Sequence, residues 1–258
     1  MQSLLARVTP EDIVQEPFPH VVFREPLESE ICDRLVEEFP SLDVISAGMQ
    51  RPAKSNELLV YHASRELNDP DLTPLWREMI AMHVSQEFLR RLLDLFGDTI
   101  RRRYRSFFET TGPPQALRAG VRHIDNFDAA DVLLEAQAAL NTPVTAAPSA
   151  VREAHLDNPN KLIVGLYYLR HPEDDSTGGD LQLYRYATPH PKFEGHEVPM
   201  RFVEPVKTIK YESNVLVLFL NTIDSLHGVT VRHPTPWVRM FLNLGSEVKT
   251  DLFTIPSR

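Results

Sequence analysis

A single cysteine, Cys32, in 258 residues excludes an intrachain disulfide and gives no sign of an oxidising compartment. Cys32 falls inside an expected helix with Ile31 and Leu35, where a thiol serves as a small apolar residue rather than a nucleophile. Long apolar runs are missing as well: no window approaches the roughly 18 residues that a helical membrane span needs. Met1 to Arg7 has neither the basic lead nor the apolar stretch of a signal peptide. The expectation is a cytoplasmic protein with no membrane partner. Positive charge is the scarcer sign, 27 Lys and Arg against 36 Asp and Glu, giving a net charge of −9. That balance argues against general affinity for nucleic acid. One basic run exists, Arg101-Arg102-Arg103-Tyr104-Arg105. It reads as a solvated helical face, with an anchor for an anionic substrate or partner as the sharper alternative. Repeats and low-complexity tracts are absent, and nothing in the sequence sets an oligomeric state.

What is present is the balance of an ordinary globule, 42% apolar and 24% charged, long enough to bury one large core. A single domain over residues 1–258 is expected, mainly helical to about residue 115 and β-rich over 116–250. In the first part, residues Pro17 to Phe23 read as a short strand. Ile31, Leu35 and Phe39 set the stripe of a helix over Glu28 to Phe39. Thr73-Pro74 is a capping hydroxyl followed by a first-turn proline, opening a helix with Leu75, Met79 and Met82 on one face. Phe88, Leu92 and Phe96 mark a third helix from about Ser85, with Gly97 expected at its C-terminal cap. After residue 115 the apolar residues come in short runs broken by Pro, Gly, Asn and Asp. The clearest runs are Asp131–Leu140, Leu162–Leu169, Leu181–Tyr186, Val215–Leu220 and Val238–Leu244. Strands at this spacing suggest a jelly roll with the helices packed on one sheet. The Pro- and His-rich stretch around Thr188 to Met200, with His190 and His196, reads as a loop and a candidate lid.

Three ligands around a metal that stays open to other groups make a 2-His-1-carboxylate triad. A His-x-Asp step suits a strand end, because residues i and i+2 point to the same side. His155-Leu156-Asp157 offers that step, and His227, on a distant run, the third ligand. The tripeptide alone is a weak signal. His123-Ile124-Asp125 competes, and His171-Pro172-Glu173 is a carboxylate variant. Context separates them: a turn (Asn158-Pro159-Asn160) and the most strand-like run in the chain follow Asp157, whereas the other two motifs lie in polar, turn-like stretches and read as capping or surface residues. Ahead of the metal step, Gln137 and Asn141 share a strand face with Leu133, Glu135 and Ala139. Polar groups facing a barrel interior need partners, so both are candidates to touch a co-substrate or substrate; the alternative is that this face is solvated.

Taken in order, His155-Leu156-Asp157-Asn158-Pro159-Asn160, Leu166-Tyr167-Tyr168-Leu169, Gly178-Gly179-Asp180-Leu181, Val215 to Leu220, His227-Gly228-Val229 and Arg239-Met240-Phe241-Leu242 resemble the catalytic core of the prolyl-hydroxylase-like branch of the 2-oxoglutarate/iron(II) dioxygenase superfamily. The likeness covers about residues 130 to 245. It implies an α+β, mainly β fold with a double-stranded β-helix core, and Fe(II) held by His155, Asp157 and His227. It also implies a basic residue on the last core strand that pairs with the far carboxylate of 2-oxoglutarate. Arg239 fits by position, since a guanidinium offers a carboxylate two parallel donors. The hairpin His233-Pro234-Thr235-Pro236 is longer than the family pattern, which leaves Arg232 as a rival. Tyr168 matches a tyrosine that donates to the same carboxylate, with an ordinary core tyrosine as the alternative. The implied chemistry consumes 2-oxoglutarate and O2, releases succinate and CO2 and hydroxylates an unactivated C–H bond, with ascorbate a candidate stimulant. Asp157 favours hydroxylation over halogenation, because halogenating relatives replace this carboxylate with a small residue.

The favoured substrate is a small molecule or a carrier-bound intermediate. Against it stand a peptidyl hydroxylase of the prolyl type, a cupin-like metal or sugar binder with no need of Arg239, and a degenerate scaffold, which the complete ligand set disfavours.

Overall fold

Strands with alternating inward and outward residues can serve two cores at once, and the long strands here do so. The structure is a computed structural model that describes residues 1–189 and 191–255. Its first half runs β1 (His20–Arg24), α1 (Ser29–Glu37), α2 (Leu42–Ile45), β2 (Leu58–Tyr61), α3 (Ala63–Glu66), α4 (Pro74–His83), α5 (Gln86–Arg103), α6 (Arg105–Thr111) and β3 (Ala119–Val121). The second half is β4 (Val132–Asn141), β5 (Lys161–Tyr168), β6 (Leu181–Tyr186), β7 (Val203–Ile209), β8 (Val215–Leu220), β9 (His227–Val229) and β10 (Arg239–Val248).

Among the described residues, seven strands form one sheet in the order β1-β8-β5-β10-β4-β2, with β3 parallel to β4, and β7-β6-β9 form a second. Together they make the α+β, mainly β, double-stranded β-helix with helices on one sheet. Period two explains the layering. On β4, Leu134, Ala136, Ala138 and Leu140 join Trp76, Met79, Phe88, Leu92 and Phe96 of α4 and α5 in the larger core. Full burial of such a side chain is worth about 1.5–3 kcal/mol. Ala139 on the opposite face of β4 packs with Val164, Tyr168, Leu181, Leu183, Val217, Phe219 and Phe241 between the two sheets. Gln137 and Asn141 share that inner face and are almost fully buried, so it is not the solvated one.

Local chemistry sets the helix starts. Thr73 Oγ1 accepts the Trp76 N–H and Ser85 Oγ accepts the Phe88 N–H, each filling one of the unpaired first-turn donors. Gly97 does not end its helix, contrary to expectation. α5 continues to Arg103, because Ile100 extends the buried stripe of Leu92 and Phe96, and three arginines stand where the helix dipole favours cations. The basic run therefore straddles the end of α5 and the start of α6. Arg101 pairs with Asp98 and Arg103 with Asp224. Cys32 is a buried core residue, as expected, with its Sγ 3.4 Å from Ser213 Oγ. No described helix is long and apolar enough to cross a membrane.

Candidate active site

The His155-Leu156-Asp157 step lies in an irregular extended segment, held on both sides. His155 exchanges backbone hydrogen bonds with His227 of β9 (N···O 2.9 and 3.2 Å), and its neighbours pair with the 196–198 stretch through Leu156 N to His196 O and Val198 N to Ala154 O. Ala154 and Leu156 turn into a small core with Tyr184, Phe193, Val198, Val203 and Leu226. His155 and Asp157 point the other way. Gly228 makes the approach of β9 possible, since a Cβ there would stand 2.7 Å from the Glu153 carbonyl carbon.

The three side chains converge. Their ligand atoms lie within 4.8 Å of one another, with His227 Nε2 3.6 Å from Asp157 Oδ2 and the two imidazole centroids 4.2 Å apart. Each imidazole Nδ1–H donates to the carbonyl two residues earlier, His155 to Glu153 at 2.8 Å and His227 to Ser225 at 2.9 Å. That fixes the tautomer and leaves each Nε2 lone pair for a cation. Burial lowers both imidazoles below their usual range, and for His155 the neighbouring His227 adds to it. Burial alone would raise Asp157, but Lys161, His227, His155 and Arg152 outweigh it and hold the carboxyl well below the usual carboxylate range. Neutral nitrogens and an ionised carboxylate are the states a divalent metal requires.

A cavity of about 250 Å³ opens from the triad. Val164, Leu166, Leu181 and Phe241 form its apolar wall, and the partly exposed Leu58 and Arg152 line it as well. Arg239 lines the same cavity. The β10–β4 ladder sets Arg239 opposite Asn141 on the inner face, and the guanidinium is 2% exposed. Its Nε donates to Gly179 O at 2.7 Å and its Nη1 to Asn141 Oδ1 at 3.3 Å. The cation is also sandwiched among Tyr168, Tyr211 and Phe241, 4.9 to 5.0 Å from each ring centroid. Gly178 and Gly179 both adopt left-handed backbone, and a Cβ on Gly178 would lie 1.8 Å from Val231 O.

Three buried groups here lack a hydrogen-bond partner among the described residues: Arg239 Nη2, Asn141 Nδ2 and the Tyr168 hydroxyl. Orphaned buried donors are rare and costly, and donors gathered around a guanidinium fit an anion. Burial raises the Tyr168 hydroxyl, against the pull of Arg239, so it stays a donor.

Arg232 is equally buried but differently used. Nη1 donates to Thr142 O at 2.9 Å, Nη2 donates to Trp237 O, and the side chain does not line the cavity. Burial, then the nearby Arg239 charge, depresses its guanidinium. Tyr168 stands behind Arg239 rather than on the cavity wall, and Gln137 is absent from the wall too: its amide meets Asn243, Glu135 and His62. None of the described residues of loop 188–200 lines the cavity. The loop braces the His155-Leu156-Asp157 segment, and its Glu197 holds Arg152 at 2.8 Å; His190 lies outside the described residues. Asp125 of the competing motif folds back to accept the Val121 N–H, and His171 stacks on Trp237. The sequence reading missed Lys161 and Arg152, 3.7 and 3.9 Å from Asp157, and Asn243 on the wall. Lys161, four residues after Asp157, carried a signal in that spacing.

No family model matches the sequence, and no curated protein matches it. Solved structures do. Prolyl 4-hydroxylase from Phytophthora capsici aligns with a TM-score of 0.55 at 17% identity, over 95% of this chain and 64% of that one. A Pseudomonas putida prolyl-4-hydroxylase gives 0.46 at 15% identity, over 96% of this chain and 100% of that one. HygX from Streptomyces hygroscopicus, solved with nickel and 2-oxoglutarate, gives 0.43 at 15% identity, over 92% and 84%. The fold is that of the prolyl-hydroxylase-like branch of the 2-oxoglutarate/Fe(II) dioxygenases.

Proposed function

We propose that this chain is an Fe(II)- and 2-oxoglutarate-dependent oxygenase, with His155, Asp157 and His227 as the iron ligands. Arg239, helped by Asn141 and backed by Tyr168, takes the far carboxylate of 2-oxoglutarate. The observation that carries this reading is the pair of orphaned donors, Arg239 Nη2 and Asn141 Nδ2, on residues that line one cavity with a neutral His pair and an ionised carboxylate. A sugar- or metal-binding cupin would have no use for such a cradle.

When bound, the iron, 2-oxoglutarate and O2 supply the oxidising chemistry and leave succinate and CO2. The chain supplies everything else. Glu153 O and Ser225 O orient the two imidazoles through their Nδ1–H groups. Lys161 and Arg152 keep Asp157 ionised and in place. Arg239 would hold the diacid by one carboxylate in the cavity it shares with the triad, which would trade bimolecular encounter for fixed geometry. The wall of Val164, Leu166, Leu181 and Phe241 keeps water from the reacting end. With about 250 Å³ to share between a diacid and a reacting group, the site suits a small molecule or a compact group presented by a carrier. Asp157 fills the coordination position that a halide would need, so the outcome is hydroxylation or a related oxidation.

The test is succinate formation from 2-oxoglutarate with Fe(II), ascorbate and air, screened against a panel of metabolites, carrier-bound acyl groups and proline peptides. Turnover is expected with a member of the first two groups. His155→Ala and Asp157→Ala should lose at least about 100-fold, the upper end of what loss of an outer-shell metal partner costs. Absence of 2-oxoglutarate turnover across the panel, with metal bound, would count against the reading.

A further inference from the structure

A second cluster of ligand-type side chains lies apart from the triad. His62 follows β2, His123 sits in the turn after β3, and Glu135 is on β4. Their ligand atoms lie within 4.8 Å of one another. The imidazoles of His62 and His123 meet edge to face at 4.9 Å, and His62 Nδ1 is 3.8 Å from Glu135 Oε1. Ligands 2.0–2.2 Å from a tetrahedral ion stand about 3.4 Å apart, so only small side-chain motions separate this arrangement from a closed site. His123 reaches its position through a left-handed backbone (φ 67°), unusual outside glycine and confined to a turn that Asp125 ties off.

We infer that His62, His123 and Glu135 form a second metal site, for a divalent ion of the zinc type. Two imidazoles and one carboxylate are a borderline donor set, and three protein ligands leave a position for water or a fourth group. The carboxylate is buried and can be released to an ion: its present partner Arg122 also reaches Glu247 at 3.0 Å. Gln137 Nε2 lies 2.5 Å from both His62 Nδ1 and Glu135 Oε1. This amide is the group that turns aside to admit an ion. Rotated by half a turn, it presents Oε1 to the ion as a further oxygen. The ion would clamp β2, β3 and β4 together at the end of the inner face away from Asn141.

Zinc binding measured by equilibrium dialysis, with metal analysis of the whole chain, tests the site without reference to oxygenase activity. Wild type is expected to bind two equivalents. His155→Ala, which damages the triad, and His123→Asn should each bind one, and the double variant none. Asn is chosen because it tolerates left-handed backbone while removing the imidazole. Glu135→Gln should weaken the remaining equivalent at least tenfold in the His155→Ala background. A wild type that binds one equivalent, lost with His155→Ala and kept with His123→Asn, would overturn the inference. So would a second equivalent whose affinity is unchanged in His123→Asn.

Discussion

Asn141 is the residue on which the anion cradle can be turned against its ligand. Its Oδ1 accepts from Arg239 while its Nδ2 has no partner among the described residues. Asn141→Asp would give Arg239 a permanent counter-ion in a buried setting and meet an incoming carboxylate with like charge. The apparent KM for 2-oxoglutarate should rise at least tenfold, a change of about 1.4 kcal/mol, with no fall in melting temperature. A steady-state assay paired with thermal unfolding reads both. The convergence of His155, Asp157 and His227 was legible in the sequence from context, the turn and strand-like run after Asp157, and not from the His-x-Asp step alone. The choice between Arg239 and Arg232 was harder, since both are near-fully buried. Position decides it: each keeps one unpartnered nitrogen, but Arg232 bonds the Thr142 and Trp237 carbonyls off the cavity, whereas Arg239 lines the cavity. Gln137 shares Asn141's face, yet four residues along a strand carry it away from the cavity to His62 and Glu135.

Among the elements, α5 and the Gly178-Gly179 turn make opposite predictions about glycine. Gly97 lies inside α5, and a Cβ there would meet nothing within 4 Å. Gly97→Ala should therefore stabilise the fold by about 0.5–1 kcal/mol, through lower backbone entropy in the unfolded chain. Gly178→Ala faces left-handed backbone and the Val231 carbonyl at once. It should cost at least about 2 kcal/mol and loosen the Gly179 carbonyl that receives Arg239. Chemical denaturation of the two variants beside wild type checks both signs. The strands β4, β5, β6, β8 and β10 matched their apolar runs to within a few residues, because β4, β5, β8 and β10 are buried along nearly their whole length and β6 alternates apolar and polar residues. β9 has three residues and β3 three, too few for any period to register. β2 and β7 were also unread; β7 is mostly exposed and carries Pro205, which breaks the strand pattern. Gly97 misled because a glycine after an apolar stripe looks like a cap until the buried Ile100 is counted.

At the scale of the molecule, two buried ionisable groups outside the site give stability a pH dependence of its own. Glu66 is fully buried, accepts the Ala138 N–H at 2.9 Å and is pushed up to about 9 by burial. Its folded form holds the proton more tightly than the unfolded chain, so its contribution is complete below about 4.5 and is lost as pH rises toward 9. Glu66→Gln should thus gain on wild type between pH 5 and pH 8, by on the order of a few kcal/mol. His83 works in the other direction. Burial lowers it to about 4, and its neutral ring accepts the Leu4 N–H while donating to Met79 O. Its contribution is complete above 6.5 and is lost as pH falls toward 4. Melting temperatures of wild type, Glu66→Gln and His83→Gln across this range should separate the two slopes. Neither group could be read as buried from sequence, since Glu66 lies in a four-residue helix and His83 at a helix end.

Over the whole molecule, the strands deliver His155, Asp157, His227 and a guanidinium to one chamber, and the proposal that these act together on metal and 2-oxoglutarate has a direct test. Calorimetric titration of 2-oxoglutarate, without oxygen, into the Fe(II)-loaded chain should give one binding event that vanishes without the metal. In Arg239→Lys it should weaken roughly 10- to 100-fold, since a lysine forfeits the paired donors, while Arg232→Lys should leave it unchanged. Binding that ignores the metal, or an Arg239→Lys affinity equal to wild type, would contradict the account.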